Sequence, residues 1–343
     1  MKTTLHQFLV VTLLMCAIQG QSQDIHFSQI FETPLLRNPA LAGLFTGDVR
    51  VQSVYRSQWN SVTDAYKTGS LNGEFKLKVG QADDFITIGG QILYDKAGTV
   101  ALTSTHILPA LNYHKSLSAD RNSYLSLGVM GGWVQRSIDR SKMTTNSQFD
   151  GSGYNGTLST GETFNKSSYS YFDGSVGMSF NNQLGENEDN NIFVGLAYHH
   201  FNRPSKLSFY STNKYEMMAK WVGSAGIRMN MTDHSFFTIQ ADYSKQGVYS
   251  ETVAGALYSL KLGDDENPRY RIHGGAYLRW KDALIPVVKL EFNPIAVAFS
   301  YDANISQLKT ASTGRGGYEV SLTYQKFADR FNSSKESIRC PRF

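Results

Sequence analysis

Histidine and carboxylate side chains are the groups of this sequence that could carry catalysis or bind a metal, and the adjacent His199 and His200 are the first candidates. They lie near the end of a candidate strand, 191–203, in which successive side chains point to opposite faces. At most one of them could therefore act with a given partner. No serine or carboxylate has a spacing that singles it out as that partner in a hydrolytic site. We interpret the pair as structural, at the rim or in the interior, and predict no enzymatic activity.

Two further groups of charged residues also lack the pattern of an active or metal-binding site. His273 shares the polar side of a candidate strand, 270–281, with Arg271 and Arg279, which is typical of an internal charge network. The acidic run DDEN at 264–267 offers oxygen ligands, but it lacks the ligand spacing and the central glycine of a calcium loop. We interpret it as a solvated turn. The sequence predicts neither a metal nor a cofactor.

The first 23 residues have the layout of a secretory signal peptide. Lys2 gives a positive start, residues 8–18 form an apolar stretch too short to span a bilayer, and small and polar residues follow. We expect cleavage between Gly20 and Gln23, which leaves Cys340 as the single cysteine of the mature chain and excludes an intramolecular disulfide. The net charge of +4 is small and spread along the chain, which indicates no nucleic-acid partner.

Alternation of apolar and polar residues runs through the chain from residue 48 to residue 327. Phe237, Ile239, Ala241 and Tyr243 interleave with polar residues, and the same pattern recurs in both halves of the chain. It predicts β-strands with one apolar face. Most candidate strands run about 9 to 16 residues, which exceeds the usual length of soluble strands and suits a tilted membrane strand.

These observations predict an all-β fold, a transmembrane antiparallel β-barrel of about fourteen strands that occupies residues 48–327. With an even count both termini lie on one side. We take that side as periplasmic, because the long polar connections, above all 138–168, then all face outward. Aromatic residues make up 13% of the chain, enough for girdles at both membrane interfaces. We expect an outer-membrane protein in contact with lipid, with a periplasmic tail at 328–343.

Residues 24–47 form a periplasmic N-terminal segment that does not repeat the strand pattern. Pro34 and Pro39 lack backbone donors and push the preceding residues toward extended geometry, so we expect an extended segment that is neither helix nor strand. Its apolar side chains, such as Phe27 and Leu35, are costly to expose to water. The segment is predicted to rest on the barrel as a lumenal plug or a periplasmic lip, while a simple leader into the first strand stays open.

Two blocks of sequence at the ends of the mature chain carry a family resemblance. The first is His26-Phe27-Ser28-Gln29, followed by Asn38-Pro39-Ala40-Leu41-Ala42-Gly43. The second joins Ser300-Tyr301-Asp302 to Arg315-Gly316-Gly317-Tyr318-Glu319-Val320-Ser321-Leu322, and the chain ends on Cys340-Pro341-Arg342-Phe343. Together they resemble the opening signature, the closing strand pair and the ending of the PorP/SprF family of outer-membrane proteins.

The resemblance implies a part in type IX protein secretion, with other components of that system as partners. It also implies that many members sit beside a large secreted adhesin, in some cases one used for gliding, whose C-terminal sorting domain they help to export or hold. Such a protein is not an enzyme. The motif residues that are candidates for a plug are His26, Phe27, Ser28, Gln29, Asn38, Pro39, Ala40 and Gly43.

Two other groups of residues are singled out by position. Phe149, Tyr154 and Phe164 lie in the 138–168 connection, the predicted partner-binding loop, where they could anchor an interface or equally pin the loop to its own barrel rim. The last strand resembles the pattern read by the barrel-assembly machinery, although Phe327 falls out of phase with the apolar face. The residues of that pattern are Gly317, Val320, Leu322, Tyr324 and Phe327.

Two classes of function stay open. The first is a secretion and anchoring barrel with a blocked lumen. The second is a porin-like or FadL-like channel for a small solute, because a barrel of this size can hold a lumen that is open or plugged. The Asn-Pro-Ala element near the N-terminus also resembles the hatch of fatty-acid transport barrels of the FadL type.

Overall fold

Fourteen antiparallel strands close into one barrel in the computed structural model, and the closing pair is β1 with β14. The structure describes residues 24–59, 64–79, 83–118, 122–187, 189–205, 207–210, 215–263, 268–306 and 314–328. The predicted signal peptide, the acidic turn at 264–267 and residues 329–343 of the predicted tail lie outside this range. The strand count and the barrel class predicted from the sequence are confirmed.

The strands are long, as expected for a barrel that crosses a membrane at a tilt. They are β1 (Val49–Gln58), β2 (Tyr66–Lys78), β3 (Phe85–Ala97), β4 (Leu102–Ser118), β5 (Ser123–Ser137), β6 (Ser168–Gln183), β7 (Asn191–His199), β8 (Lys220–Thr232), β9 (Ser235–Gln246), β10 (Tyr249–Gly263), β11 (Pro268–Arg279), β12 (Ala283–Phe292), β13 (Ile295–Asn304) and β14 (Arg315–Lys326).

The two faces of the barrel differ in chemistry. On β5, Leu127 and Val129 point outward and are more than half exposed, whereas Ser126 and Met130 point inward and are buried. Exposed aromatic side chains lie on the outer face toward both ends of the strands, as the composition suggested for two interfacial girdles. Toward one end they include Tyr55, Tyr94, Trp133, Phe172, Trp221, Tyr243 and Tyr318, and toward the other Phe75, Tyr113, Phe180, Tyr258, Tyr270, Phe292 and Tyr324.

Connections at the two ends of the barrel differ in length. The end at which odd-numbered strands finish carries the two longest connections, 138–167 and 200–219, and is called the long-connection end. At the opposite end, the short-turn end, the longest connection is 184–190. This asymmetry is typical of outer-membrane barrels.

The N-terminal segment, residues 24–47, lies inside the barrel and runs between its two ends, and Asp48 then leads into β1. At the long-connection end, Asp24 lies 2.8 Å from His200 and 3.6 Å from Lys220. At the short-turn end, the Asp48 N–H donates to the carbonyl of Lys326. The segment is therefore neither a lip beyond the strand ends nor a simple leader into β1.

Compact helical turns, rather than the expected extended backbone, make up this segment. The helix α1 (Pro34–Arg37) lies between 3-10 turns at Ile30–Glu32 and Pro39–Leu41. Pro34 and Pro39 each stand at the start of a turn, where the missing N–H donor costs nothing and the fixed φ favours the helix. No helix in the described part of the chain is long and apolar enough to cross a membrane.

Apolar side chains of the segment pack on apolar patches of the inner wall. Ile30 contacts a cluster formed by β10, β11 and β12, and Leu35 contacts one formed by β4 and β5. Phe27 packs near Val54 of β1 and Leu93 of β3. Each buried side chain of this size contributes about 1.5–3 kcal/mol relative to an exposed one. The barrel thus has its apolar core between wall and segment.

The outer apolar belt predicts a difference between two valine positions. Val129 lies midway along β5 on the outer face, and Val248 lies in the β9–β10 turn, where it is 85% exposed. We expect Val129→Arg to lower the free energy of unfolding in lipid vesicles by about 2–4 kcal/mol, because it places a charge in hydrocarbon. Val248→Arg is the matched control and should change it by less than about 0.5 kcal/mol. Equal effects in denaturant titrations would contradict the membrane belt.

Candidate functional site

The first motif block contacts the second inside the barrel, although the two are far apart in sequence. The Glu319 carboxylate accepts hydrogen bonds from the backbone N–H groups of Ser28 and Gln29, at 2.6 and 2.8 Å. The Gln29 side chain donates to the Ser300 hydroxyl at 3.1 Å, and the Ser28 hydroxyl donates to Asp302 at 2.8 Å. The motif residues Ser28 and Gln29 therefore hold the segment on β13 and β14.

Arg56 of β1 completes this cluster. Its guanidinium lies 2.9 Å from Asp302 and 3.1 Å from Glu319, and it donates to the carbonyl of His26 at 3.0 Å. Arg279 of β11 adds contacts to Asp302 and to the Ser28 hydroxyl. Arg56 is fully buried, so the ion pairs replace its hydration.

A second cluster lies deeper in the lumen, around Glu32 of the segment. Its carboxylate accepts hydrogen bonds from Gln52 of β1 at 2.9 Å and from Thr323 of β14 at 2.8 Å, and it pairs with Lys289 at 2.8 Å. Gln52 lies opposite Thr323 in the β1–β14 ladder, just as Arg56 lies opposite Glu319. The segment thus bridges the seam at which the barrel closes, at two levels. We call residues 26–32 with these partners the seam clasp.

Across the lumen, Arg37 ties the segment to the wall formed by β7 and β9. Its guanidinium makes two short contacts with the two oxygens of Asp242, both at 2.5 Å. The carbonyl of Arg37 meets His199 Nε2 at 3.1 Å, and His199 Nδ1 meets the Ser175 hydroxyl at 2.9 Å. Arg37 and Asp242 are both buried.

The Asn38-Pro39-Ala40 motif turns the chain against β5 and β6. The Asn38 side chain accepts from the Ala40 N–H at 2.8 Å and donates to the carbonyl of Met178 at 3.1 Å. A Cβ placed on Gly128 of β5 would lie 2.5 Å from backbone atoms of Pro39 and Ala40. The wall glycine is therefore what lets the motif approach the strand so closely.

Gly43 is the one motif residue whose identity the backbone dictates. Its φ of +86° is a left-handed conformation that favours glycine. A Cβ there would collide with the side chains of Thr87 and His114. The Gly43 N–H donates to Glu74 at 2.7 Å, and Glu74 in turn pairs with Arg50 at 2.7 Å. These contacts hold the segment near the short-turn end.

The expected arrangement of His199 and His200 is wrong, because both side chains point into the barrel and both are buried. β7 ends at His199, and His200 has a φ of 56°, which turns its side chain back toward the interior. His200 lies 2.8 Å from both Asp173 of β6 and Asp24 of the segment. Sequence spacing could not find these carboxylates, since neither is near the pair along the chain. The arrangement is a buried ion-pair bridge that holds the start of the segment.

His273 belongs to an internal network, as predicted. It meets the Ser259 hydroxyl at 2.7 Å and Glu291 at 3.4 Å, and Arg271 lies 3.3 Å from Glu291. Arg279 lies on the same strand but joins the seam clasp instead. In the part of the chain that the structure describes, no group of three histidine, cysteine or acidic side chains could hold a metal ion.

The aromatics of the 138–167 connection divide into two groups. Phe149 and Tyr154 are paired in an isolated β-bridge and are 60% and 62% exposed. Phe164 packs instead on Tyr210, with ring centroids 4.8 Å apart, and under Arg140. Phe164 therefore pins the connection to the neighbouring one, while Phe149 and Tyr154 form an exposed pair, here called the aromatic tip.

Asp150 orders the aromatic tip from within. The N–H and hydroxyl of Ser152 and the N–H of Gly153 all donate to its carboxylate. These hydrogen bonds hold the pKa of the Asp150 carboxyl below its ordinary value. Because the folded-state pKa is lowered, the carboxylate stabilises the tip above the pKa of the unfolded chain, and this stabilisation is lost as the pH falls.

The residues of the predicted assembly pattern lie on or just after β14. Val320, Leu322 and Tyr324 point outward and are exposed, whereas Phe327 follows the last strand residue, Lys326. Gly317 lies opposite Gln58 on the seam. This placement is compatible with the pattern, and its reading by assembly machinery stays a prediction.

Two spaces lie beside the segment. A cavity of about 710 Å³ opens at the long-connection end, with Asp24, Ile25 and His26 of the segment among its lining residues. A second space, near Arg37 and Asp242, has a volume of only about 50 Å³. The apolar outer belt and the filled interior define an outer-membrane β-barrel whose lumen is occupied by its own N-terminal segment.

The family of this barrel follows from comparison with known proteins. A family model described as type IX secretion system membrane protein PorP/SprF matches residues 19–324, nearly the whole chain. The chain belongs to this family and is an outer-membrane protein. No curated protein matches it.

Solved structures of similar fold share little sequence with this chain. A FadL homologue from Pseudomonas aeruginosa is 10% identical, with a TM-score of 0.50 over 86% of this chain and 94% of that one. The CymD monoaromatic hydrocarbon channel is 10% identical, with a TM-score of 0.47 over 87% and 94%. The translocator domain of the autotransporter NalP from Neisseria meningitidis is 12% identical, with a TM-score of 0.38 over 94% and 97%. At such identities the FadL likeness shows the fold alone.

The seam clasp predicts a large cost for removing one buried charge. In Arg56→Met, Glu319 loses its guanidinium partner and Asp302 keeps only Arg279, so we expect the free energy of unfolding to fall by about 3–5 kcal/mol. Arg271→Met is the matched control, because Arg271 pairs with Glu291 while its side chain is 38% exposed. It should cost less than about 1 kcal/mol. Denaturant titration of both variants in detergent checks this, and similar losses would exclude a special role for the seam.

Proposed function

We propose that this barrel is a non-enzymatic component of type IX secretion that helps to export or anchor a secreted adhesin-type partner. The observation that carries the proposal is the occupied lumen. Buried ion pairs and hydrogen bonds hold the segment at the seam, at Asp242 and at Glu74. A barrel with its interior committed in this way is suited to present its ends to other proteins. Family membership supports the same function.

In this proposal the long-connection end faces the outside of the cell. Long polar connections are typical of the outer face of such barrels. The short-turn end then faces the periplasm, where other secretion components would contact it. Asp24 would then lie at the outer mouth, and not on the periplasmic side on which the even strand count places the start of the mature chain. The chain would then return through the lumen before β1 begins at the periplasmic end.

The aromatic tip is the proposed contact with the adhesin. Two exposed aromatic side chains held by an ordered turn offer contact area at little entropic cost, which is typical of the residues that dominate protein interfaces. The Asp150 hydrogen bonds order the turn in the free protein. The partner is expected to carry a type IX C-terminal sorting domain.

Affinity purification of a tagged copy from native outer membrane, in mild detergent, tests the function. A large secreted protein recovered in near-equal amount supports an adhesin-dedicated barrel. Recovery of periplasmic secretion components instead would make it a part of the core machinery. If the barrel is recovered alone, the secretion proposal fails and the channel function takes its place.

The aromatic tip gives this experiment a sharper form. We expect the double variant Phe149→Ala/Tyr154→Ala to recover at least about tenfold less secreted partner, because the interface loses its anchors. Tyr215→Ala is the matched control, since Tyr215 is 57% exposed and belongs to the other long connection. Mass spectrometry of the purified complexes measures the ratio. Loss of partner in the control alone would place the contact elsewhere.

A channel for a small solute is the second candidate. The open cavity of about 710 Å³ favours it. The two functions differ in conductance, because a barrel with an occupied lumen should pass almost no ions in a planar bilayer. Stable open-channel steps from the full-length barrel would support the channel.

One wall glycine allows the occupied lumen to be tested without deleting the segment. In Gly128→Val the new side chain meets Pro39 and Ala40, so the segment must move off β5. We expect ion conductance to appear in this variant and not in the parent. Gly274→Val is the control, since its side chain would point outward into open space. A variant that folds and stays closed would show that the segment does not block the lumen at this point.

Deletion of residues 24–43 gives the complementary measurement. The truncated barrel should conduct more than the full-length one if the segment occludes the lumen, and heat-modifiable migration in electrophoresis shows whether it still folds. Unchanged conductance in a folded truncated barrel would contradict the plug.

A further inference from the structure

One transverse row of polar residues lines the cavity at the long-connection end. In the strand ladders, Thr68 of β2 lies opposite Asp95 of β3, Asp95 lies opposite Ser104 of β4, and Ser104 lies opposite Arg136 of β5. All four residues border the cavity of about 710 Å³. A carboxylate and a guanidinium are thus held two strands apart on one level of the wall.

These two groups are charged but not paired with each other or with another ion. Asp95 accepts a hydrogen bond from the Thr68 hydroxyl at 2.7 Å, and in the described ranges neither Asp95 nor Arg136 has an opposite charge within ion-pair distance. The hydroxyl of Ser104, between them, is committed to His106 at 2.8 Å. Neighbouring strands are about 4.8 Å apart, so the backbone positions of the two residues, two strands apart, are separated by about 10 Å.

The other carboxylates that line the cavity are neutralised by the protein. Asp24 pairs with His200, Asp282 with Arg279, and Asp302 with Arg56. Arg279, the other guanidinium of the lining, is engaged in the last two of these clusters. Among the described lining residues, Asp95 is therefore the carboxylate without an ion-pair partner, and Arg136 and the exposed Lys281 are the cations without one. Arg136 also meets the hydroxyl of Tyr169, and of the two cations it is the one that lies on the same level of the wall as Asp95.

We propose that this cavity binds short zwitterionic peptides, with the free amino group at Asp95 and the free carboxylate at Arg136. An extended residue spans about 3.3–3.6 Å, so two or three residues carry their terminal charges about 7–10 Å apart, which is comparable with the spacing of about 10 Å between the two strand positions. The volume of about 710 Å³ lies in the usual range for small-ligand sites. Trp59 and Tyr66, with ring centroids 5.0 Å apart, line the same cavity and offer apolar surface to the body of the peptide.

The charges of Asp95 and Arg136 also disfavour uncharged ligands of similar size. A neutral sugar or an apolar solute would displace water from Asp95 and Arg136 without supplying an opposite charge, and uncompensated desolvation of a charge is costly. A zwitterion supplies both charges at once through charge-assisted hydrogen bonds. The site is a recognition site at the barrel mouth and does not depend on the proposed secretion function.

Isothermal titration of the full-length barrel in detergent tests the proposal, with trialanine as the probe. We expect trialanine with free termini to bind, and its N-acetylated and C-amidated forms each to bind at least about tenfold more weakly, because each lacks one terminal charge. Quenching or a shift of tryptophan fluorescence gives a second readout, since Trp59 and Trp280 line the cavity. Binding of maltotriose but not trialanine would overturn the peptide proposal in favour of a saccharide site.

Two variants with opposite expected selectivity separate a specific site from a general effect on the barrel. In Asp95→Asn the penalty for acetylation should vanish while the penalty for amidation remains, and in Arg136→Gln the reverse should hold. Asp139→Asn and Lys142→Gln, an exposed ion pair with 3.6 Å between the charged atoms, are the matched controls and should leave all affinities unchanged. Heat-modifiable migration reports whether each variant is folded. The proposal would be overturned if the barrel without substitutions did not bind trialanine at millimolar concentration, or if it bound the free and capped forms equally.

Discussion

The carboxylate of Glu319 is the contact on which the interior of this protein depends. It accepts two backbone N–H groups of the N-terminal segment and faces Arg56 across the seam between the last and the first strand. Most strand neighbours are also neighbours in sequence, but this pair joins residues from opposite ends of the chain. A charge that is buried at such a place is stable only while all its partners are present. The seating of the segment and the closure of the barrel are therefore two parts of one interaction.

This dependence accounts for the polar character of the lumen. Buried inward-facing positions carry arginine, lysine, glutamate and histidine, as Arg50, Lys76, Glu74 and His114 show. The segment supplies backbone donors, apolar side chains and a few charges that match them, such as Glu32 and Arg37. Each buried polar group that finds a partner avoids a desolvation cost of several kcal/mol. The filled interior is consequently a packed core, with the barrel wall on one side and the segment on the other.

The proposed contacts accordingly lie at one end of the barrel. The aromatic tip is exposed and ordered by Asp150, so it can contact another protein with little loss of freedom. The cavity at the same end is floored by Ile25 and His26 of the segment, so a ligand there would meet the segment as well as the wall. Proteins and small ligands at this end could therefore affect each other through one shared surface.

The sequence by itself was enough to predict a β-barrel fold and its location in the outer membrane. Alternation over long strands has a period of two residues and is a local property, so the strand count, the outward belt and the uneven connections could be read from residues such as Phe237, Ile239 and Tyr243. The family motifs could likewise be recognised in the sequence. They could not show that Ser28 and Gln29 meet Ser300, Asp302 and Glu319.

Only the tertiary structure decided what those motif residues do. Contacts between residues some 270 positions apart depend on how the whole sheet closes, and no local periodicity encodes that. The same limit explains His200, because one left-handed residue at the end of β7 reverses the side-chain direction that strand alternation predicts. It also explains why the prolines indicated an extended segment, although Pro34 and Pro39 begin helical turns. The alternation of residue types determines the geometry of each strand. Which conformation His200 and the N-terminal segment adopt depends on what can pack inside the closed barrel.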